Sequence, residues 1–302
     1  MNRALILIIG KTGQIGWELE RSLSIVGETL ALDRQSLDLV DPDNICAFIR
    51  RARPGVIINA GAYTDVDRAE SEPELAMAIN GTAPGILAEE AKRLGALFIH
   101  YSTDYIFDGA KQAPYTENDM PNPPNVYGKT KLAGERSVQA VGGKYLVIRT
   151  GWVYGLRGRN FLTTVLRLLQ EKEELRIVDD QIGSPTWARM ISEATSHMVV
   201  LALRDPNQLE SGLRHLTAAG QTSWYGFARE IAELVGEQQR IQKRILPIKT
   251  DQYPTPAKRP QYSVLESARV TDPLLCLPNW RATLRLAMNN ACFNKLTGIS
   301  FL

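Results

Sequence analysis

Five short apolar runs, Ala4–Ile9, Thr29–Asp33, Val56–Ala60, Leu97–Ser102 and Tyr145–Arg149, alternate with longer helix-patterned stretches through the first half of the chain. The stretches between them are Ile15–Val26, Pro42–Arg51, Glu74–Leu94 and Val126–Val141, with Pro42 suited to a first helical turn. Strands that are apolar on both faces and separated by helix-length segments bury themselves as a parallel sheet covered on both sides. The expected fold is therefore α/β, a doubly wound, Rossmann-like parallel sheet. At 302 residues the chain exceeds the usual single-domain size, so a smaller α/β substrate domain is expected beside it. After Gly151 the rhythm changes to a helix at Phe161–Lys172, a strand at Leu175–Val178, a turn at Gly183-Ser184-Pro185 and a helix at Ala188–Leu203. A strand at Leu213–Thr217, a helix at Trp224–Val235 and a rigid, proline-punctuated loop at Tyr253–Pro260 follow. The expected division assigns residues 1–150 and about 180–217 to the sheet domain, and about 151–179 and 218–302 to the substrate domain.

A formal net charge of +2 gives no electrostatic bias toward nucleic acid or anionic membrane, and the basic cluster Arg240 to Arg244 reads as a solvated face. Three scattered cysteines, Cys46, Cys276 and Cys292, argue against a disulfide framework and for a reducing compartment, most simply the cytoplasm. The opening apolar run is too short for a signal-peptide core, and no window is long enough to span a bilayer. His100, His197 and His215 are far apart and form no ligand spacing, so no metal site is expected.

The turn after the first strand reads Gly10-Lys11-Thr12-Gly13-Gln14-Ile15-Gly16 and opens the first helix. In that context glycines let the backbone turn tightly against a pyrophosphate, and the helix N-terminus supplies amide donors. The second strand ends in Asp33, twenty residues past Gly13, where a carboxylate can accept hydrogen bonds from ribose hydroxyls. Its neighbour Arg34 suits a 2′-phosphate, so both NADH and NADPH remain open as cofactor. Asn59-Ala60-Gly61-Ala62 closes the third strand with small side chains, as fits a close approach to the same ligand.

The fourth strand ends in Ser102-Thr103-Asp104, which sets hydroxyls at the carboxyl edge of the sheet, where ligands bind in such folds. Tyr127 and Lys131 lie four apart on the following helix and share a face. An ammonium beside a phenol favours phenolate, so Lys131 is expected to pull Tyr127 below its ordinary pKa of about 10 and make it a proton donor.

Taken together, these residues resemble the extended short-chain dehydrogenase/reductase family over nearly the whole chain. The resemblance rests on residues 10–19, on Ala69-Glu70-Ser71-Glu72, on Tyr101-Ser102-Thr103-Asp104-Tyr105, on residues 125–135 and on Asp180-Gln181-Ile182-Gly183-Ser184-Pro185-Thr186. It implies a catalytic set of Thr103, Tyr127 and Lys131, with Lys131 also holding the nicotinamide ribose. It implies NADPH or NADH contacts from Gly13, Gln14, Ile15, Asp33, Asp38, Leu39, Ala62, Tyr63 and Thr64, and an asparagine, Asn80, that orders the active-site helix. Asp104 and Trp152 match positions that touch a sugar nucleotide, and Arg259 is expected to meet its diphosphate. The implied reaction is reduction of the C4 carbonyl of a nucleotide-linked 4-keto hexose, dTDP-4-dehydro-β-L-rhamnose, by a monomer or homodimer.

Some members bind magnesium at a dimer interface through glutamates, one of them a few residues past the Pro-Thr motif. This chain reads Trp187-Ala188-Arg189-Met190 there, and a guanidinium does not ligate metal, so a magnesium-bridged dimer is not expected. A dehydratase needs an extra acid beside Asp104, where this chain has Tyr105. A reductase of another nucleotide 4-keto sugar, an epimerase that retains its cofactor, and a non-catalytic regulatory subunit of a methionine adenosyltransferase are the remaining alternatives within this fold.

Overall fold

The computed structural model describes residues 4–205, 208–239, 244–267 and 276–289. The first apolar run forms β1 (Leu5–Ile9), and its alternation decides what lies on either side. Ile6 and Ile8 enter one core with Leu19 and Leu23, while Leu7 and Ile9 enter another with Ile45, Ile49 and Leu87. A strand buried on both faces cannot be an edge, and β1 lies between β2 (Glu28–Leu32) and β3 (Val56–Asn59), parallel to both. β4 (Leu97–Thr103), β5 (Tyr145–Thr150) and β6 (Gly212–His215) extend the sheet, giving the order β2-β1-β3-β4-β5-β6 with every pairing parallel.

Three of the four covering helices lie where the apolar spacing foretold them. α1 (Gln14–Leu23) follows the glycine turn, and α2 (Pro42–Ala52) starts on Asp41, whose carboxylate accepts from Asn44 N–H at 3.0 Å. The stretch expected as one helix from Glu74 to Leu94 is broken into Pro73–Met77, a π-turn at Ala78–Thr82, and α3 (Ala83–Leu94). Pro84 has no N–H to offer the carbonyl four residues back, and the wider turn instead pairs Ala83 N–H with the Ala78 carbonyl. α4 (Val126–Val141) spans the expected residues, capped at its start by Asn125 and closed at Gly142, φ +70°.

A separate apolar cluster gathers Tyr154, Leu162, Leu175, Trp187, Phe227, Ile231, Trp280 and Leu284. It is built by α5 (Phe161–Glu171), α7 (Trp224–Gln239) and α8 (Trp280–Met288), beside a strand pair in which Glu174–Val178 runs parallel to Arg244–Ile248. The intervening α6 (Ala188–Arg204) belongs with the large sheet: Ile191, Ala194, Met198 and Val199 pack under β1, β3 and β5, and Ser192 hydrogen-bonds Ser22 of α1 at 2.7 Å. The expected strand at Leu213–Thr217 is β6, the sheet's edge beside β5. Tyr253–Pro260 carries neither helix nor strand. Arg244, the last of the basic cluster, pairs with Glu174 at 3.5 Å, while residues 240–243 and Cys292 lie outside the described residues. Among the described residues no helix is long and apolar enough to cross a membrane.

Candidate functional site

The order of the sheet reverses between β1 and β3, so the chain leaves their carboxyl ends in opposite directions and opens a crevice there. The two loops at its floor touch. Gly10, at φ +91°, lies so close to the second loop that a Cβ would fall 2.7 Å from Gly61 N. Gly16 is not among the residues lining the two cavities of the crevice; it lets α1 press on the turn, since a Cβ there would lie 2.1 Å from the Gly10 carbonyl. Gly13 caps α1 without a side-chain hydrogen bond, which leaves first-turn N–H groups for an anion.

One cavity of about 390 Å³ holds Gly10, Gly13, Asp33, Asp38, Leu39, Ala62, Tyr63 and Thr64. Hydrogen bonds from the Ser36 hydroxyl and backbone, and then Lys11 at 3.2 Å, hold the Asp33 carboxyl down at about 2. Arg34 is turned onto Asp38 at 3.2 Å.

The adjoining cavity, about 460 Å³, brings Gly13, Gln14, Ile15, Ala62 and Thr64 together with Thr103, Asp104, Tyr127, Lys131 and Trp152. Thr103 ends β4 and Asp104 follows it, and Thr103 Oγ1 donates to Asp104 Oδ1 at 3.1 Å while accepting Tyr105 N–H at 3.1 Å. Burial raises the Asp104 carboxyl to about 6 against hydrogen bonds from Ser263 and Thr103. Gly151 is needed beside it, because a Cβ there would fall 2.5 Å from the carboxyl carbon.

The expected effect of Lys131 on Tyr127 is corrected by this geometry. Burial pushes the Tyr127 phenol up to about 12; a hydrogen bond with Thr103 opposes the rise and the Asp104 charge adds to it. Lys131 gives its nitrogen to the Tyr101 carbonyl at 2.6 Å, and burial lowers it to about 8. Four-residue spacing put both side chains on one face but did not reveal a carbonyl on the neighbouring strand that claims the amine. Tyr127 is thus fully protonated at neutral pH, and a phenol of this strength still yields its proton to a far more basic alkoxide.

Two glycines and one asparagine seat this helix. A Cβ at Gly128 would stand 2.2 Å from the Tyr105 carbonyl, and one at Gly134 would stand 2.1 Å from the Asn80 carbonyl. Asn80, in the π-turn, accepts Tyr63 N–H at 2.9 Å and donates to the Tyr63 carbonyl at 3.0 Å and to Thr130 Oγ1 at 3.2 Å. It ties the crevice loop to α4. Gly128 stood in plain view inside the Tyr127–Lys131 motif and Gly134 three residues past it, but nothing in the spacing signals which backbone they press against.

Trp152 adopts φ +49°, rare for a bulky residue, and lies flat on Trp224 with centroids 3.5 Å apart. Trp224 escaped the sequence reading; as the first residue of a helix, it gave no sign of a partner seventy-two positions earlier. Arg259 lies in a third cavity, about 830 Å³, which shares Val66, Tyr105 and Trp224 with the second. Its Nη2 donates to Asp67 at 2.7 Å, and its buried Nη1 has no protein partner.

The residues fit a dinucleotide. Gln14 Oε1, Ser102 Oγ and Thr150 Oγ1 are buried polar atoms without a protein partner, and all three residues line the second cavity beside the glycine turn. Among the described residues no group of three or more His, Cys, Asp or Glu is placed to hold a metal. Arg189, at the position weighed for magnesium, pairs with Glu18 at 3.2 Å.

A model of the family described as the RmlD substrate binding domain matches residues 3–292. The chain is 46% identical to the dTDP-4-dehydrorhamnose reductase of Burkholderia thailandensis over 292 residues, 94% of this chain and 98% of that protein. It is 43% identical to that of Escherichia coli K12 over 292 residues, 94% of this chain and 97% of the other. The crystal structure of dTDP-4-dehydrorhamnose reductase from Bacillus anthracis in complex with NADP matches with a TM-score of 0.88 at 32% identity, covering 95% of this chain and 99% of that one.

Proposed function

The chain belongs to the family described as the RmlD substrate binding domain, and from that premise we propose that it is an NAD(P)H-dependent reductase that converts dTDP-4-dehydro-β-L-rhamnose to dTDP-L-rhamnose. One observation carries the reading: Thr103, Tyr127 and Lys131 share a single cavity with the Gly13-Gln14-Ile15 turn, in a chain 46% identical to a reductase of that name.

Gly10, Gly13, Gln14, Ile15, Asp33, Asp38, Leu39, Ala62, Tyr63, Thr64, Tyr127 and Lys131 would hold the cofactor, and Gly16 would serve it only by seating α1. When bound, NAD(P)H supplies a hydride to the sugar C4. Tyr127 gives its hydroxyl proton to the oxygen at C4, and Thr103 hydrogen-bonds the same oxygen as charge develops on it. Lys131, fixed by the Tyr101 carbonyl, places a positive charge near the phenolate that remains. Asp104 and Trp152 would contact the sugar, and the unpartnered Nη1 supports Arg259 as a diphosphate ligand.

We further propose the interleaved division anticipated from the sequence, with residues 1–150 and about 180–217 forming the cofactor domain, a reading supported by β6 and α6 packing with the large sheet. The enzyme would act in the cytoplasm as a monomer or homodimer without a magnesium bridge, a reading that the Arg189–Glu18 pair favours. The test is consumption of NADH and NADPH in parallel over a panel of dTDP-4-keto-hexoses. Purified protein that carries stoichiometric NAD and interconverts sugars without net oxidation of reduced cofactor would replace reductase by epimerase.

A further inference from the structure

Behind Lys131 lies a row of buried polar groups that the reaction leaves unexplained. Asn59 and His100 are 1% and 0% exposed and stand opposite each other on β3 and β4. Gly61 N–H donates to Asn59 Oδ1 at 3.1 Å, which fixes the orientation of the amide. The amide nitrogen therefore faces His100 Nδ1, 3.2 Å away. An amide nitrogen only donates, so Nδ1 must accept, and a neutral imidazole then carries its proton on Nε2. Burial, reinforced by the Lys131 charge, holds His100 well below the usual histidine range, which keeps the ring neutral.

His100 Nε2 lies 3.5 Å from Lys131 Nζ. An ammonium has only donors, so it gains no hydrogen bond from an N–H aimed at it, whereas a free amine has a lone pair to accept one. The other groups around the lysine do not reverse this. Glu135, one turn further along α4, favours the ammonium, but its carboxylate is held by Arg149 at 2.9 and 2.7 Å. Tyr127 shares the helix face, with Asp104 beyond it at the end of β4, and Tyr101 offers its carbonyl.

We infer that Asn59 and His100 are positioning residues for Lys131: the Asn59 amide locks the imidazole with its N–H toward the lysine, and that N–H holds the amine beside the crevice and eases loss of its proton. The lock begins at Gly61, in the loop that touches Gly10, so it ties the backbone of the cofactor crevice to the ionisation of the catalytic amine. Its kinetic consequence rests on Lys131 acting in the reduction; the lock itself does not.

The first test needs no variant. The chain has three histidines, so uniformly 15N-labelled protein gives a ring spectrum simple enough to assign. His100 is expected to show a protonated Nε2 and a bare Nδ1, unchanged from about pH 5.5 to about pH 9. A proton on Nδ1, or titration within that range, overturns the inference. The second test is the pH dependence of kcat/KM for His100→Gln, whose carboxamide is free to turn its oxygen toward Lys131. The basic limb, set by loss of the lysine proton, is expected to move up by about one pH unit. A limb that stays in place in a folded variant overturns the inference. Failure of the reductase reading would appear instead as an inactive wild-type protein, with the nitrogen spectrum still deciding the lock.

Discussion

Gly128→Ala isolates the part of the site that depends on close packing. The added methyl would start 2.2 Å from the Tyr105 carbonyl oxygen and 2.8 Å from Pro123 Cβ, whereas ordinary contact begins at 3.4 Å. Tyr105 is tied through its N–H to Thr103, and Pro123 is stiff, so the start of α4 must lift by about 1.2 Å. Tyr127 is the adjacent residue, and a displacement of roughly an ångström at a reacting group costs about a hundredfold in rate. Overpacking costs about 1–3 kcal/mol, and the better helix propensity of alanine returns about 1 kcal/mol of it. The net loss corresponds to a fall in Tm of a few degrees at most for a protein of this size. Steady-state kinetics at saturating cofactor, with thermal unfolding beside it, should therefore show kcat down by about two powers of ten in a protein that still melts cooperatively. Ser137→Ala, further along the same helix, is the control and should be near wild type. A Gly128→Ala enzyme with kcat within about twofold of wild type would refute the argument that this glycine sets the position of the phenol.

Four further outcomes follow from the same geometry. Asp33→Ser removes a carboxylate held ionised down to about pH 2 and should raise the preference for NADPH over NADH by about tenfold in kcat/KM; an unchanged ratio would remove Asp33 from ribose recognition. Arg259→Ala should raise KM for the nucleotide sugar with kcat nearly unchanged, whereas an unaltered KM would free Arg259 of the diphosphate. His215 is buried against Arg149, which lowers it to about 3 from an unfolded value near 6.5, so its stabilisation is complete above about pH 6.5 and lost as the pH falls toward 3. Tm should fall on acidification from pH 7 to pH 4.5, and less steeply in His215→Gln; equal slopes would contradict this assignment. Treatment with EDTA should leave activity intact, and loss restored by magnesium would show that a metal matters despite Arg189.

The parallel sheet could be read from the chain because its strands are apolar on both faces, and its helix boundaries are enforced by local chemistry at Asp41, Asn125 and Gly142. The π-turn at Ala78–Thr82 was hidden because Pro84 falls early enough in the following helix to pass for part of one continuous segment. Arg244–Ile248 became a strand only by pairing with Glu174–Val178, a contact across seventy positions, and α8 owes its place to Trp280 filling a distant core. The site shows the same division. The residues proposed for the crevice came from motifs at strand ends, from one helix spacing and from the family resemblance; how they act on one another did not. The amine of Lys131 is governed by the Tyr101 carbonyl and the His100 ring on β4, and Trp152 is paired with Trp224 through the fold alone.

Tyr127 is proposed to deliver its proton to the oxygen at C4 of a nucleotide-linked 4-keto sugar while NAD(P)H gives its hydride to the carbon. Single-turnover oxidation of NADPH, followed optically with dTDP-4-dehydro-β-L-rhamnose and wild-type or Tyr127→Phe protein, tests it most directly. Wild type should form dTDP-L-rhamnose stoichiometrically, and the rate should be lower by about two to four powers of ten without the phenol. A Tyr127→Phe protein that turns over at the wild-type rate would contradict it.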